Sequence, residues 1–252
     1  RRVMTFLFDN GKKYGYDDYI HLKVVPGASK DSIARAMALA NRVSINIEAA
    51  TPSGLAELSS TKDYNRDILK RLSWINSLQH KSTTYPNSTH TTQLIVGANG
   101  ESDKEILSRM EKIYKKSELK RTYFSAFTPI AETELGNKAA CSTDRTAKLY
   151  NADSLLNDYH YKVKELVFDE NDKLSLTQDP KILAAKNMDI FPVEINSAPF
   201  VELIRVPGIG TKSARQIISI RKKLPFTNKE QLRKLGDLFE NDNAWVDLQP
   251  KK

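Results

Sequence analysis

Val206-Pro207-Gly208-Ile209-Gly210-Thr211-Lys212 is the stretch that decides how the C-terminal part of this chain folds. Upstream of it, Leu203 and Ile204 mark a short helix for which Ser197 offers a cap, and Pro207-Gly208 stops that helix. Gly210 is expected to take a positive φ, which glycine does without steric cost. Residues 213–222 then read as a second helix, with Ile209 packed between the two and residues 226–235 closing the module. Amides at a helix N-terminus, backed by its partial positive charge, hold phosphate without reading bases. Gly208, Gly210 and Thr211 therefore become candidate backbone contacts, and Lys212 and Arg215 candidate charge contacts. The competing reading is an ordinary turn between packed helices, and the local charge argues against it.

Between Arg205 and Lys234 the sequence holds Arg205, Lys212, Arg215, Arg221, Lys222, Lys223, Lys229, Arg233 and Lys234 against the single acid Glu230. The whole chain carries +8, so the rest of it is close to neutral. A surplus concentrated on one small module selects an anionic partner. With its charge and turn chemistry, the segment from Ile195-Asn196-Ser197-Ala198-Pro199 through Arg221 resembles the helix-hairpin-helix module of DNA repair and uptake proteins. The resemblance implies a small all-α DNA-binding domain over residues 191–252 that grips the phosphate backbone.

The remaining length is enough for one sizeable core, with 40% hydrophobic residues in a chain of 252. No apolar run approaches the roughly 20 residues needed to cross a bilayer, and nothing near the start looks like an export signal. A cytoplasmic protein without a membrane partner is the expectation. Cys141 is the only cysteine, which excludes an internal disulfide framework and any site needing several thiolates from this chain.

Strand and helix patterns alternate through this part. Residues 19–25 read as a strand, 30–41 as a helix with Ile33, Ala36, Met37 and Ala40 at helical spacing, and 43–48 as a second strand. A long helix over 63–79 and a polar loop to Thr91 lead to a strand at 92–97. Ser102 with Glu105 three residues on forms a capping box for a helix to about Lys116, and 121–127 supplies the last strand. Strands separated by single helices must lie parallel with right-handed crossovers, and an α/β architecture of open or closed barrel type follows. About four strands are visible, fewer than the eight of a complete barrel. The first residue is Arg1, and Val3, Met4, Leu7 and Phe8 read as the inside of a helix. The sequence is thus expected to be a fragment, with a barrel part at 1–139, a helical extension and linker at 140–190 (helix at 143–161), and the terminal module at 191–252.

His21 and Lys23 share one strand face; Ser44, Asn46 and Glu48 share the corresponding face of the next. In a barrel the apolar face meets the outer helices and these polar groups point inward, where a purely structural barrel prefers branched apolar residues. A ligand is one explanation; a half-solvated sheet is the other. The loops 26–29, 49–54, 97–101 and 128–130 would gather at the mouth of such a barrel. A metal or acid–base site from His21, Glu48 and Glu101 is a further option, but His21, His80, His90 and His160 lack ligand spacing.

Taken in order, HLKVVPGAS (21–29), VSINIEA (43–49), TPSGL (51–55), TQLIVGANGESD (92–103), YFSAF (123–127), PVEINSAP (192–199) and VPGIG (206–210) resemble a family of radical S-adenosylmethionine proteins assigned to DNA modification or repair. The resemblance implies a partial, TIM-like (β/α)6 radical SAM barrel holding a [4Fe-4S] cluster and S-adenosylmethionine, joined to the helix-hairpin-helix. It also implies nucleotide contacts at Ser44, Asn46, Glu48, Ile95 and Gly97. The family's CxxxCxxC loop is missing, as is its Gly-Gly-Glu segment. A [4Fe-4S] cluster is held by cysteine thiolates, and Cys141 cannot replace three of them. Both missing segments would precede Arg1, so the cluster is expected in a full-length parent and not on this chain, which alone would be inactive. The competing expectation is a non-catalytic DNA-binding adaptor that recruits a repair partner such as a uracil-DNA-glycosylase-like protein.

Overall fold

The computed structural model describes residues 19–81, 88–228, 230–233 and 245–248, with side chains described only to Gln79 in the first segment and to Leu232 in the third. The chain divides into two compact units, Arg1–Tyr150 with Asn171–Lys173, and Asn151–Glu170 with Leu174–Lys252. The expected helix around Val3 to Phe8 lies outside the described residues, as do Lys229 and Lys234.

The first unit is built on four parallel strands in sequential order, β1 (His21–Lys23), β2 (Arg42–Ser44), β3 (Thr89–Val96) and β4 (Arg121–Ala126). Helices intervene, because parallel neighbours cannot be joined by a hairpin: α1 (Lys30–Leu39) and α2 (Pro52–Leu58), then α3 (Lys70–Lys81), entered through a π-helical turn at Tyr64–Leu69, and α4 (Asp103–Tyr114). Each start is chemically marked. Ser29, Thr51 and Asp63 side chains accept from Ser32, Gly54 and Arg66 amides, and Ser102 with Glu105 completes the expected capping box. Val43, Ile45, Leu94, Val96 and Phe124 are buried on one sheet face, and Ile33, Met37, Ile75, Ile106, Leu107 and Met110 from the helices are buried with them. Burial of roughly a dozen such side chains at about 1.5–3 kcal/mol each is the main force holding this layer. The opposite face carries His21, Ser44, Asn46, Thr91, Gln93 and Tyr123, as period-two alternation requires.

Two strand expectations change. The third strand begins at Thr89 instead of Thr92, because Thr89 and His90 pair with Arg42 and Val43. In the second, regular structure ends at Ser44, although pairing continues to Glu48 with a bulge. Ile47 and Glu48 amides both donate to the Gln93 carbonyl, at 3.0 and 3.1 Å, and Glu48 sits at φ +62°. The alternation that grouped Glu48 with Ser44 and Asn46 stops there.

In α5 (Thr143–Asn157) the helix stops short of the expected Tyr161, and His160 takes φ +57° just after it. The second unit continues with α6 (Pro180–Lys186), β5 (Val193–Glu194), α7 (Phe200–Leu203), α8 (Thr211–Arg221), α9 (Glu230–Arg233) and β6 (Val246–Asp247). Its core joins Val193, Ile195, Leu203, Ile204, Val206, Ile209, Ala214, Ile217, Phe226, Leu232 and Val246. An all-α module was expected. The structure adds a short parallel pairing of Val193 with Val246, both buried. The Asn196 side chain ties the closing segment down, accepting from the Phe226 amide at 2.7 Å and donating to the Phe226 carbonyl at 3.0 Å.

Candidate nucleic-acid interface

The hairpin is a β-turn between α7 and α8. Ile209 N–H donates to the Val206 carbonyl at 3.0 Å, Pro207 fills the first central position, and Gly208 fills the second at φ +83°. Positive φ after proline defines a type II turn. The positive φ expected at Gly210 is therefore at Gly208. Gly210 is the N-cap of α8 at φ −88° and ψ 172°, an extended conformation open to any residue. A Cβ there would meet only the Tyr159 hydroxyl, at 3.5 Å. The expected cap Ser197 is also displaced: α7 starts after Pro199, which makes no side-chain cap bond, and Ser197 is exposed. The fixed φ of proline starts the helix there instead.

Ile209 and Val206 are buried in the core and hold the turn from beneath. The Gly210 cap has no side chain to satisfy the first amides of α8, and those amides have no acceptor within the helix. They retain the donor capacity and positive dipole end that bind anions. Lys212 and Arg215 are exposed and three residues apart, hence on one helix face. Arg215 also lies over the Phe200 ring, 5.7 Å from its centroid. The geometry thus groups Gly208, Gly210, Thr211, Lys212 and Arg215 around the turn.

Two basic residues counted in the surplus do structural work instead. Arg205 donates to the Tyr159 carbonyl at 2.7 Å, pairs with Glu165 at 3.1 Å and lies over the Tyr161 ring at 3.8 Å. Arg221 donates to the Ile195 carbonyl at 2.6 Å. Lys181, which sequence reasoning passed over, donates to the Ile209 carbonyl at 2.6 Å and lies 4.6 Å from the Tyr159 ring centroid. Burial, with Arg205 pushing the same way, lowers its pKa to about 7 against the opposing pull of Asp179. No sequence pattern joins positions 28 residues apart across a fold.

In the other unit, a cavity of about 220 Å³ opens on the polar sheet face, with Ser44 and Asn46 in its lining beside His21, Thr91, Gln93 and Tyr123. His21 Nε2 is 2.9 Å from Ser44 Oγ. Partial burial and then the charges of Arg42 and Lys23 lower the His21 pKa, favouring the neutral ring. The Thr91 hydroxyl is buried without a hydrogen-bond partner. Glu48, Ile95 and Gly97 do not line this cavity. Glu48 pairs with Lys62 at 3.5 Å. The Gly97 amide is taken by the Glu101 carboxylate at 2.6 Å, in a loop that Arg145 fastens through Asp103 at 2.7 Å. Among the described residues no group of three or more His, Cys, Asp or Glu side chains is placed to hold a metal ion.

Comparison with known families finds the helix-hairpin-helix motif over residues 190–241. The match covers the hairpin and most of its supporting core and stops short of the sheet unit. No curated protein and no solved structure matches the chain. Among the described residues no helix is long and apolar enough to cross a membrane.

Proposed function

We propose that this protein binds DNA through the phosphate backbone, with the amides at Gly208, Gly210 and Thr211 facing phosphate oxygens and Lys212 and Arg215 adding charge. The observation that carries this reading is the glycine-capped N-terminus of α8, open to an anion and flanked by exposed cations inside a helix-hairpin-helix match. Contacts of this kind position a protein on DNA without reading sequence. Two unrelated duplexes of equal length, compared by fluorescence anisotropy, should therefore bind with equal affinity. A preference of tenfold or more for one of them would refute backbone recognition.

The finer reading rests on the resemblance: the sheet unit as part of a radical S-adenosylmethionine barrel acting on DNA. Four parallel strands in sequential order with one polar, cavity-bearing face support it. The nucleotide fits the cavity's chemistry in that Ser44 and Asn46 put hydrogen-bonding groups in its lining and the buried Thr91 hydroxyl beside them has no partner of its own. The iron–sulfur cluster does not fit this chain, whose one thiol is Cys141, and no chemical step is assigned through it. The adaptor alternative, with recruitment of a DNA glycosylase, shares the DNA-binding half and differs in leaving the cavity without a nucleotide. Calorimetric titration with S-adenosylmethionine separates them: binding that is lost in Asn46→Leu supports the barrel reading, and no heat at millimolar nucleotide supports the adaptor.

A further inference from the structure

Lys181 lies outside the family match, near the start of α6, yet its ammonium reaches the backbone of the hairpin. The Ile209–Gly210 peptide is trans, so its carbonyl and its N–H point to opposite sides. The carbonyl accepts from Lys181 at 2.6 Å, while the N–H belongs to Gly210, the open N-cap of α8. One peptide dipole therefore has a half-buried cation at its negative end and the expected phosphate position at its positive end. Hydrogen bonds in series polarise one another, and the effect is greater when one partner is charged.

The charged and titratable groups facing the ammonium come from three places. Asp179 is on its own helix cap, Tyr159 follows α5, and Arg205 follows α7. Asp179 caps α6 through the Lys181 and Ile182 amides and acts on the ammonium through its charge, which favours the charged form. A cavity of about 310 Å³ lined by Asn151, Ser154, Tyr159, Pro207 and Gly208 borders Lys181 and gives water a route to it.

We propose that Lys181 is a positioning residue for backbone phosphate, its ammonium holding and polarising the Ile209–Gly210 peptide so that DNA binding draws a proton from solvent onto Lys181. The inference rests on the DNA-binding reading above and adds a residue and a proton to it. Below neutral pH the ammonium is charged and the brace is fully formed; above neutral pH its charge is lost and only a weaker, neutral hydrogen bond can remain, since burial brings the titration down to about pH 7. A phosphate beyond the peptide favours the charged form, which is the same coupling seen from the other side.

Two measurements on the whole chain test this. In the free protein, the Gly210 amide resonance should shift with a midpoint near pH 7, and the shift should vanish in Lys181→Met and in Lys181→Arg. Calorimetry of duplex binding at pH 7.5, in two buffers of different ionisation enthalpy, should show net proton uptake by wild type and none by either variant. Lys181→Met removes both the charge and the hydrogen bond and should bind roughly fivefold more weakly than wild type at pH 6. The gap should narrow by pH 9, where the wild-type amine is neutral. Lys181→Arg should hold the pH 6 affinity across the range, and it keeps the test alive if Lys181→Met unfolds. Proton uptake that persists in a folded variant, or a Gly210 resonance indifferent to pH, overturns the proposal. Failure of wild type to bind any duplex overturns the DNA-binding reading itself, and the amide titration then reports separately that the brace exists without that role.

Discussion

Gly208→Ala and Gly210→Ala add the same methyl group two residues apart and should have unequal effects. Gly208 holds φ +83° at the second central position of a type II turn, where an L side chain costs roughly 1–2 kcal/mol. Gly210 holds φ −88°, and an added Cβ finds only ordinary contact with the Tyr159 hydroxyl. Its substitution should cost about 0.5 kcal/mol, the difference between glycine and alanine as N-caps. For a unit of this size each kcal/mol moves the melting temperature by roughly 4–8 °C. Gly208→Ala should thus lower the melting of the second unit by several degrees more than Gly210→Ala does. Differential scanning calorimetry on both variants, with anisotropy for DNA affinity, gives the comparison. Equal destabilisation by the two, or a larger effect at Gly210, would refute the assignment of the strained position and with it the turn geometry.

Ser102→Ala removes the capping box of α4 and should destabilise the sheet unit by about 1 kcal/mol in urea unfolding, with DNA affinity unchanged. Lys181 has a folded pKa of about 7, below its unfolded value, so the unfolded chain holds more protons between about pH 7 and 10. Stability should rise with pH from 7 toward 9.5, by at most about 1.4 kcal/mol per unit, and Lys181→Met should flatten that rise in urea midpoints. Tyr161, raised by burial, adds an opposite slope only above pH 10.

The hairpin was legible because its chemistry is local: Pro-Gly demands a turn, and a buried Ile209 between two helices fixes its orientation. Which glycine carries positive φ was also written there, in the Pro207-Gly208 pairing that a type II turn requires, and the second glycine obscured it. The parallel sheet was legible from alternation and spacing. The bulge at Ile47 and Glu48 was not, since it arises where two amides converge on one carbonyl of a strand about 45 residues away. Glu48 left the polar face for that reason. Arg205, Arg221 and Lys181 show the same limit in the site. Their charges could be counted from sequence, but two brace carbonyls within the fold and the third reaches the hairpin itself, through contacts spanning 26 to 46 residues.

The most direct test of the central claim is the salt dependence of duplex affinity in wild type and Lys212→Ala. Backbone binding releases condensed counterions, so the logarithm of affinity should fall linearly with the logarithm of salt, with a slope near −0.9 per phosphate contacted. Lys212→Ala should make that slope shallower by about one unit while circular dichroism shows the fold intact. An affinity indifferent to salt, or a folded Lys212→Ala with the wild-type slope and affinity, would mean that the hairpin is not where this protein meets DNA.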